Sequence, residues 1–101
     1  MDPLDAVRRV ALAHLPTPLM VVPQLSARLG CDLTIKRDDA TGGADSGNKL
    51  RKLELLLADA LHQGCDTVLT CGGIQSNHAR ATALSCARLG LHCVLFLRVR
   101  T

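Results

Sequence analysis

From residue 32 onward, segments with the hydrophobic spacing of a strand alternate with segments that have the hydrophobic spacing of a helix. They predict strands at 32–37, 67–71 and 92–98 and helices at 48–62 and 77–89. The order strand, helix, strand, helix, strand is typical of an α/β fold with parallel strands joined by right-handed crossovers. Parallel sheets are usually covered by helices on both faces, and two helices are too few for three strands. The pattern therefore predicts an open parallel sheet with flanking helices that is incomplete, as in a piece of a longer protein.

The first 31 residues carry a weaker pattern. Apolar side chains at helical spacing predict a short helix over residues 4–14, which Pro16 and Pro18 end. A short strand at 19–22 and a helical turn at 24–29 are predicted to follow. The apolar side of the first helix consists of four residues: Val7, Val10, Ala11 and His14.

Composition restricts the classes of function. The chain has 101 residues, of which 48% are hydrophobic and 21% charged, a globular rather than a disordered composition. A net charge of +3 without a basic run argues against nucleic-acid binding. No apolar stretch reaches the roughly 18 residues of a membrane span, and the N-terminus shows no secretory signal. We therefore expect a cytoplasmic protein with no membrane or nucleic-acid partner.

Five cysteines are present, and their number is odd. Their spacing contains no C-x-x-C pair and matches neither a disulfide framework nor a zinc site. We interpret most of them as small buried hydrophobic residues in a reducing compartment. A metal site at Cys71 and His78 would lack a second ligand pair, so no metal is predicted. The cysteines are Cys31, Cys65, Cys71, Cys86 and Cys93.

Three cations, Lys49, Arg51 and Lys52, crowd the first turn of the helix predicted at 48–62. The helix dipole places positive partial charge at this end, so a cation there costs a few tenths to about 1 kcal/mol. A bound anion would offset that cost, and a neutral amine would avoid it. Lys49 and Lys52 share a helix face, and their repulsion also favours the neutral amine that condensation with an aldehyde requires. The alternative is a basic helix end in solvent, softened by two acids: Asp45 and Glu54.

The loop Gly72–His78 is a second candidate. A strand predicted to be buried runs into two glycines and then into a helix start. Glycines let a ligand approach the backbone, and ligands of open α/β sheets bind at the carboxyl ends of strands, where helix N-termini attract anions. The alternative is that Ser76 or Asn77 is an ordinary N-cap. The loop fits neither a nucleotide fingerprint nor a hydrolase elbow.

A third feature, the pair Asp38-Asp39, could bind a metal or act as an acid and base. Acidic dipeptides are common in turns, so we favour a structural role. The two carboxylates would then cap the loop or pair with nearby cations: Lys36, Arg37 or Arg51.

Four stretches together resemble one known family. It is that of the aminocyclopropane-carboxylate deaminases and D-cysteine desulfhydrases, pyridoxal-phosphate enzymes of fold type II. The match follows the family's order over nearly the whole chain, and its last two stretches are highly specific. The resemblance implies pyridoxal 5'-phosphate as cofactor and a small amino acid as substrate. The stretches are T-P-L at 17–19, I-K-R-D-D at 35–39, S-G-N-K-L-R-K-L-E at 46–54 and C-G-G-I-Q-S-N-H-A-R at 71–80.

The resemblance also implies which residues hold the cofactor. Lys49 would carry it and later move protons as the catalytic base. Asn48 would lie near the cofactor, and Lys52 would be a partner of its phosphate. Asn77 would contact the hydroxyl group of the cofactor ring through its side chain.

The substrate side follows from the loop at 71–80. Ser76, with backbone N–H groups near Asn77 and His78, would bind the substrate carboxylate. Ser76 would also be the nucleophile that the family is proposed to use in ring opening. The run His78-Ala79-Arg80 is similar to the desulfhydrase branch, whereas we associate Gln-Thr after the asparagine with the deaminases.

The implied reaction is an αβ-elimination on a small thiol amino acid, like that of D-cysteine desulfhydrase, giving pyruvate, ammonia and hydrogen sulfide. Deamination of 1-aminocyclopropane-1-carboxylate is one alternative. A non-catalytic remnant that acts as a binding piece is another, and an anion-binding α/β module unrelated to the cofactor is a third.

Family members are several times longer than this chain, and the resemblance implies a division into domains. Residues 1–45 would belong to the large domain, and residues 46–101 would begin the smaller α/β domain. The strand at 32–37 would then lie in a different sheet from those at 67–71 and 92–98, which contradicts the single sheet suggested by the pattern alone. A full-length member is expected to be a homodimer, and this N-terminal fragment is expected to have little or no activity alone.

Overall fold

A computed structural model describes residues 6–42 and 49–99, and these ranges contain four strands and three helices. Between Asn77 and Arg98 the predicted bounds of a helix and a strand are confirmed, and the ends of the other observed elements differ from the predicted ones by at most two residues. The elements are β1 (Leu19–Val21), α1 (Pro23–Leu29), β2 (Thr34–Lys36), α2 (Leu50–His62), β3 (Thr67–Gly73), α3 (Asn77–Leu89) and β4 (His92–Arg98).

The described strands form two separate sheets of two strands each. β1 and β2 pair antiparallel, with Met20 opposite Ile35. β3 and β4 pair parallel, with Leu69 opposite Val94, and α3 connects them. The single parallel sheet expected from the pattern is therefore wrong for β2, which finds its partner in the neighbouring β1. The separate sheets implied by the resemblance are confirmed, whereas the domain boundary at residue 45 stays a prediction.

The hydrophobic core lies between α2, α3 and one face of the β3–β4 sheet. The leucines of α2 at helical spacing supply half of it, and the small residues of α3 let the two helices pack closely. Leu56 and Leu61 of α2 also lie at helical spacing, but both are exposed, because the buried stripe of α2 does not include all of its leucines. The buried cluster consists of Leu12, Leu50, Leu53, Leu57, Ala81 and Cys86.

The helix predicted over residues 4–14 is wrong for the part that the structure describes, from residue 6 onward. The backbone N–H groups of this segment bond to distant residues instead of to its own carbonyl groups. Val10 N donates to Glu54 O at 3.1 Å, and His14 N donates to Thr41 O at 2.6 Å. A helix would need those same donors internally, so tertiary hydrogen bonds override a short apolar pattern.

Glu54 is the main anchor of this extended segment. Its side chain is 2% exposed, and Oε2 accepts hydrogen bonds from Leu12 N at 2.8 Å and Ala13 N at 2.9 Å. Arg88 of α3 donates to Leu12 O at 3.0 Å from the other side. The alternative of a basic helix end in solvent assigned Glu54 to soften the charge of the nearby lysines. The carboxylate is instead buried, and its hydrogen bonds are made with backbone N–H groups.

The cysteines are only partly as predicted. All five are free thiols, but Cys31, Cys65 and Cys71 are exposed, whereas Cys86 is buried and Cys93 half-buried. Burial, with Cys93 nearby as a further cause, raises the pKa of the Cys86 thiol to about 11. The prediction of buried residues fails for Cys71 because it lies on an uncovered face of β3. A Cα radius of gyration of 17.1 Å, against about 13 Å for a compact domain of this size, fits such uncovered faces.

Candidate functional site

The first turn of α3 is built on a conventional N-cap. Ser76 has an extended backbone (φ −63°, ψ 121°), and its Oγ accepts a hydrogen bond from Ala79 N at 3.1 Å. The backbone N–H of Ser76 donates to Gly73 O at 3.0 Å, which closes the turn between β3 and α3. The capping alternative is therefore correct for Ser76. Its hydroxyl proton remains a donor, because Oγ only accepts in this cap.

Gly72 makes room for that cap. A Cβ atom built on Gly72 would lie 2.7 Å from Ser76 Oγ and 2.8 Å from Ser76 Cβ, closer than real side chains approach. The glycine was predicted to let a ligand approach the backbone. What it admits here is the serine side chain, which thereby sits against the end of β3.

The first turn of α2 is different. Lys49 stands at the N-cap position with a helical backbone (φ −87°, ψ −25°) and no capping hydrogen bond from its side chain. Its carbonyl oxygen accepts from Leu53 N at 3.1 Å, so the residue already belongs to the helical ladder. The first turns of α2 and α3 both lack an acidic residue. Two helix N-termini with positive partial charge are thus left without an anionic side chain of their own.

His78, in the first turn of α3, is influenced by the charges at the start of α2. Its imidazole Nε2 lies 3.0 Å from Thr70 Oγ1 on β3, and its half-buried position is the main cause that lowers its pKa. The positive charges of Lys52 and Lys49 lower that pKa further. Both lysines therefore act electrostatically on the first turn of α3, and the imidazole is favoured in its neutral form.

The second ring nitrogen of His78 is a buried polar atom without a partner. Within the described residues, Nδ1 accepts and donates no hydrogen bond. A neutral imidazole can leave one nitrogen unprotonated, and an unpaired acceptor is less costly than an unpaired buried charge. The main-chain oxygen of His78 accepts from Thr82 Oγ1 at 2.7 Å, so the residue is fixed from two sides.

The acidic pair does not join the site. Asp38 Oδ1 accepts from Thr17 Oγ1 at 2.9 Å and from Arg51 at 3.0 Å, and these bonds lower the pKa of Asp38, the Thr17 bond most strongly. Asp39 pairs with Arg37 at 2.8 Å, and the hydrogen bond from Arg37 is the main cause that lowers the pKa of Asp39. The structural role predicted for both carboxylates is confirmed. Arg51 is thereby engaged, whereas Lys52 forms no ion pair with the residues that the structure describes.

An open groove of about 610 Å³ lies at the carboxyl ends of the two parallel strands. Its walls include the loop from Gly73 to Ser76 together with Arg98 of β4. Sequence reasoning missed Arg98 and also missed Thr70, the partner of His78. No signal in the sequence pointed to Arg98, because only the strand register of the structure places that residue opposite Gly73. Thr70 carries no signal either, since a threonine inside a strand is ordinary.

The sequence-predicted residues thus fall into three groups. Lys49, Lys52 and His78 are brought within electrostatic reach of one another, and Ser76 and Asn77 adjoin His78 at the start of α3. Asn48 lies outside the described residues. Among the described residues no group of three or more His, Cys, Asp or Glu side chains could hold a metal ion, and no helix there is long and apolar enough to cross a membrane.

The donor set fits an anionic aldehyde such as a phosphorylated pyridoxal. An amine at Lys49 can condense with an aldehyde, a second cation at Lys52 can balance a phosphate, and two helix N-termini offer N–H groups. The lack of acidic residues in both first turns removes the charge that would repel a phosphate.

Comparison with known proteins gives consistent results. The family model described as pyridoxal-phosphate dependent enzyme matches residues 10–101. D-cysteine desulfhydrases of Klebsiella pneumoniae subsp. pneumoniae and Salmonella paratyphi B are each 58% identical over 89 residues, which is 88% of this chain and 27% of the relative. A crystal structure of an ACC deaminase homologue superposes with a TM-score of 0.86 at 46% identity, covering 99% of this chain and 32% of that one. The chain therefore spans about a quarter to a third of the length of its relatives.

Proposed function

The chain belongs to the family of pyridoxal-phosphate dependent enzymes, and from that premise we propose that it forms the lysine-bearing part of a D-cysteine desulfhydrase-like lyase. The reaction is an αβ-elimination in which D-cysteine and water give pyruvate, ammonia and hydrogen sulfide. One observation carries the proposal. Within the described residues, Lys49 begins α2 without a capping side chain and with no acidic residue in the first turn, and its positive charge contributes to lowering the pKa of the imidazole at the start of α3.

The cofactor would be held mainly from the start of α2. Lys49 Nζ would be the amine that attaches to the aldehyde, and Lys52 would balance the charge of the phosphate. Asn77, at the first position of α3, would contact the ring hydroxyl. When bound, pyridoxal phosphate would supply an electron sink for negative charge at the substrate α-carbon.

The substrate carboxylate would be held from the start of α3. The N–H groups of Asn77 and His78 belong to the first turn, where no carbonyl group of the helix can accept from them. The hydroxyl proton of Ser76 is a third donor, since its oxygen already accepts from Ala79. These donors orient the α-carbon toward Lys49, whose amine removes and returns the proton there.

A second candidate is the deamination of 1-aminocyclopropane-1-carboxylate, which is supported by the structural similarity to the ACC deaminase homologue. The higher identity to desulfhydrases and the residue His78 after Asn77 support the first candidate. Cytoplasmic location is supported by the free thiols, and homodimeric assembly of a full-length member stays a prediction.

Covalent labelling tests the role of Lys49. The chain contains three lysines, Lys36, Lys49 and Lys52, so the other two are internal controls. After addition of pyridoxal phosphate and reduction with borohydride, peptide mass spectrometry should find the label on Lys49 at least about tenfold above Lys36. Lys49→Arg should lose the label, and Lys52→Arg should keep it at a higher cofactor concentration. Equal labelling of the three lysines would leave the chain as a non-catalytic binding piece.

The reaction itself is tested in a single polypeptide that joins this chain to the unmatched remainder of the Klebsiella desulfhydrase. We expect sulfide release from D-cysteine that Lys49→Ala abolishes. Ammonia release from the cyclopropane acid without sulfide release would instead favour the deaminase. The predicted inactivity of the chain alone is checked in the same assay.

A further inference from the structure

The backbone of Leu12 is bound by both helices of the candidate site. Glu54 of α2 accepts from Leu12 N at 2.8 Å through Oε2, and Nη1 of Arg88 in α3 donates to Leu12 O at 3.0 Å. Leu12 itself is 2% exposed and belongs to the buried cluster that α2 and α3 share. Its backbone and its side chain thus both lie between the two helices. We call these three residues the Leu12 bridge.

The α2 side of the Leu12 bridge has several hydrogen bonds. Glu54 Oε2 also accepts from Ala13 N at 2.9 Å, and the main-chain oxygen of Glu54 accepts from Val10 N at 3.1 Å. Glu54 is buried, so water does not compete for its carboxylate. A shift of the segment would leave a buried charge without donors, and its cost holds the contact in one geometry.

The α3 side of the Leu12 bridge depends on one long side chain. Arg88 is exposed and lies in the last turn of α3, where a positive charge suits the helix dipole. Its guanidinium group reaches back to the carbonyl oxygen of Leu12. The end of α3 is thereby tied to the same peptide segment that Glu54 ties to α2.

Both helices carry candidate site residues at their N-terminal ends. Lys49 lies about one and a half turns before Glu54, and the start of α3 lies about three turns before Arg88. In the proposed reaction the Lys49 amine must reach the α-carbon of a substrate whose carboxylate is held at the start of α3. A displacement of about 1 Å between such groups can cost about a hundredfold in rate, so the spacing of the two helices affects the chemistry.

We propose that Glu54 and Arg88 are positioning residues for the elimination, and that together they hold Leu12 between α2 and α3 and so set the distance from Lys49 to the substrate carboxylate. This inference rests on the proposed function. Neither side chain is assigned a contact with cofactor or substrate, because both act through the Leu12 backbone. The alternative is a contact that only stabilises the fold. It would change the amount of folded protein and leave the rate of each folded molecule unchanged.

The first test measures kcat and KM in the single polypeptide that joins this chain to the unmatched remainder of the Klebsiella desulfhydrase. The protein is loaded with pyridoxal phosphate, and kcat is expressed per Lys49 labelled after borohydride reduction. Arg88→Met removes the donor, Arg88→Lys keeps one, and Arg28→Met in the last turn of α1 is the matched control.

Arg88→Met should lower kcat for sulfide release from D-cysteine at least about fivefold, because the Lys49 amine is displaced from the α-carbon. KM should change less than about twofold, since the donors at the start of α3 stay in place. Arg88→Lys should recover most of the loss, and Arg28→Met should change neither constant. Glu54→Ala and Glu54→Gln repeat the comparison from α2, with glutamine keeping an oxygen acceptor.

The second test needs neither cofactor nor turnover. In the cofactor-free joined protein, NMR of carbon-13-labelled histidine measures the pKa of His78, whose signal is identified by its loss in His78→Gln. Burial and the charges of the two lysines at the start of α2 lower that pKa. Arg88→Met should raise it toward the ordinary 6.5, because α2 moves away from α3. Arg28→Met should leave it unchanged.

Two kinds of result separate this inference from the proposed function. If the parent protein releases sulfide and needs Lys49, an unchanged kcat per labelled Lys49 or an unchanged His78 pKa in Arg88→Met would overturn the positioning role alone. A parent protein that releases no sulfide, or releases it without Lys49, would overturn the proposed function and the positioning role with it.

Discussion

The two helices that meet at the candidate site begin in opposite ways. α3 begins with a serine that caps its own first turn, in a space that Gly72 leaves open. α2 begins with a lysine that caps nothing, and its first turns are fixed by tertiary contacts of Glu54 and Arg51. Because the side chain of Ser76 accepts a hydrogen bond from the first turn of α3, this helix start needs no ligand for stability. A start that keeps positive charge at a positive helix end breaks a local rule, as functional sites tend to do, and this agrees with the role proposed for Lys49.

The largest effect on the free energy of unfolding is expected for Glu54, which anchors the extended N-terminal segment to α2. Glu54→Ala should lower the free energy of unfolding by about 2–4 kcal/mol, because two buried N–H groups lose their acceptor. Glu54→Gln keeps one oxygen acceptor and should lower it by about 1 kcal/mol. Urea unfolding measures both, and hydrogen exchange at Leu12 and Ala13 should accelerate in the alanine variant. The exposed Asp59→Asn is the control, within about 0.5 kcal/mol of the native chain. An equally small effect of Glu54→Ala would contradict the assignment of the anchor.

Filling the space between Gly72 and Ser76 should destabilise the start of α3. Gly72→Ala places a methyl group against Ser76 Oγ and should lower the free energy of unfolding by about 1–3 kcal/mol. Adding Ser76→Gly removes the atoms that clash, and glycine is a tolerable N-cap, so the double variant should recover most of the loss. Gly73→Ala, where a Cβ meets no atom within 4 Å, is the matched control. Additive losses in the double variant would rule out direct contact as the cause.

Replacing the N-cap residue should change the free energy of unfolding in opposite directions for the two helices. Ser76→Ala should lower the free energy of unfolding by about 1 kcal/mol. Lys49→Asp should raise it by about 0.3–1 kcal/mol, because a negative charge replaces a positive one at the positive end of the helix dipole, and it should abolish cofactor labelling. Thermal unfolding of the two variants and of the control Ser76→Asp, which keeps a cap, measures the difference. A loss of stability in Lys49→Asp would mean that the lysine itself stabilises α2.

The smallest effect is a pH dependence from His78. Burial first, and then the charges of Lys52 and Lys49, lower its folded pKa below the ordinary 6.5. Between the two pKa values the unfolded chain binds more protons, so the free energy of unfolding should fall as the pH drops from about 6.5. The full contribution is present above that pH. Urea unfolding from pH 5 to 8 should show this slope in the native chain and in Gln75→Ala, and a smaller slope in His78→Gln. An unchanged slope in His78→Gln would assign the pH dependence to another group.

The sequence was most informative where structure is set by neighbours along the chain. The bounds of α3 and β4 follow from Ser76 at one helix end and Gly90, with φ at 73°, at the other. Arg51 was one of the cations predicted to pair with Asp38, because acidic residues in a short turn attract nearby cations. The convergence of Lys49 and His78 was implied only by the resemblance, since nothing in the spacing of two residues 29 positions apart fixes their distance.

Local patterns determined the helices α2 and α3, the strands around them and the identity of the cationic helix start. The conformation of residues 6–14, the pairing of β2 with β1 and the burial of Glu54 were decided only by tertiary structure. In each case a backbone or carboxylate group has a choice of hydrogen-bond partners, and the choice depends on which distant group packs against it. Sequence periodicity records which side of an element is apolar, and it carries no information about the partner that covers that side.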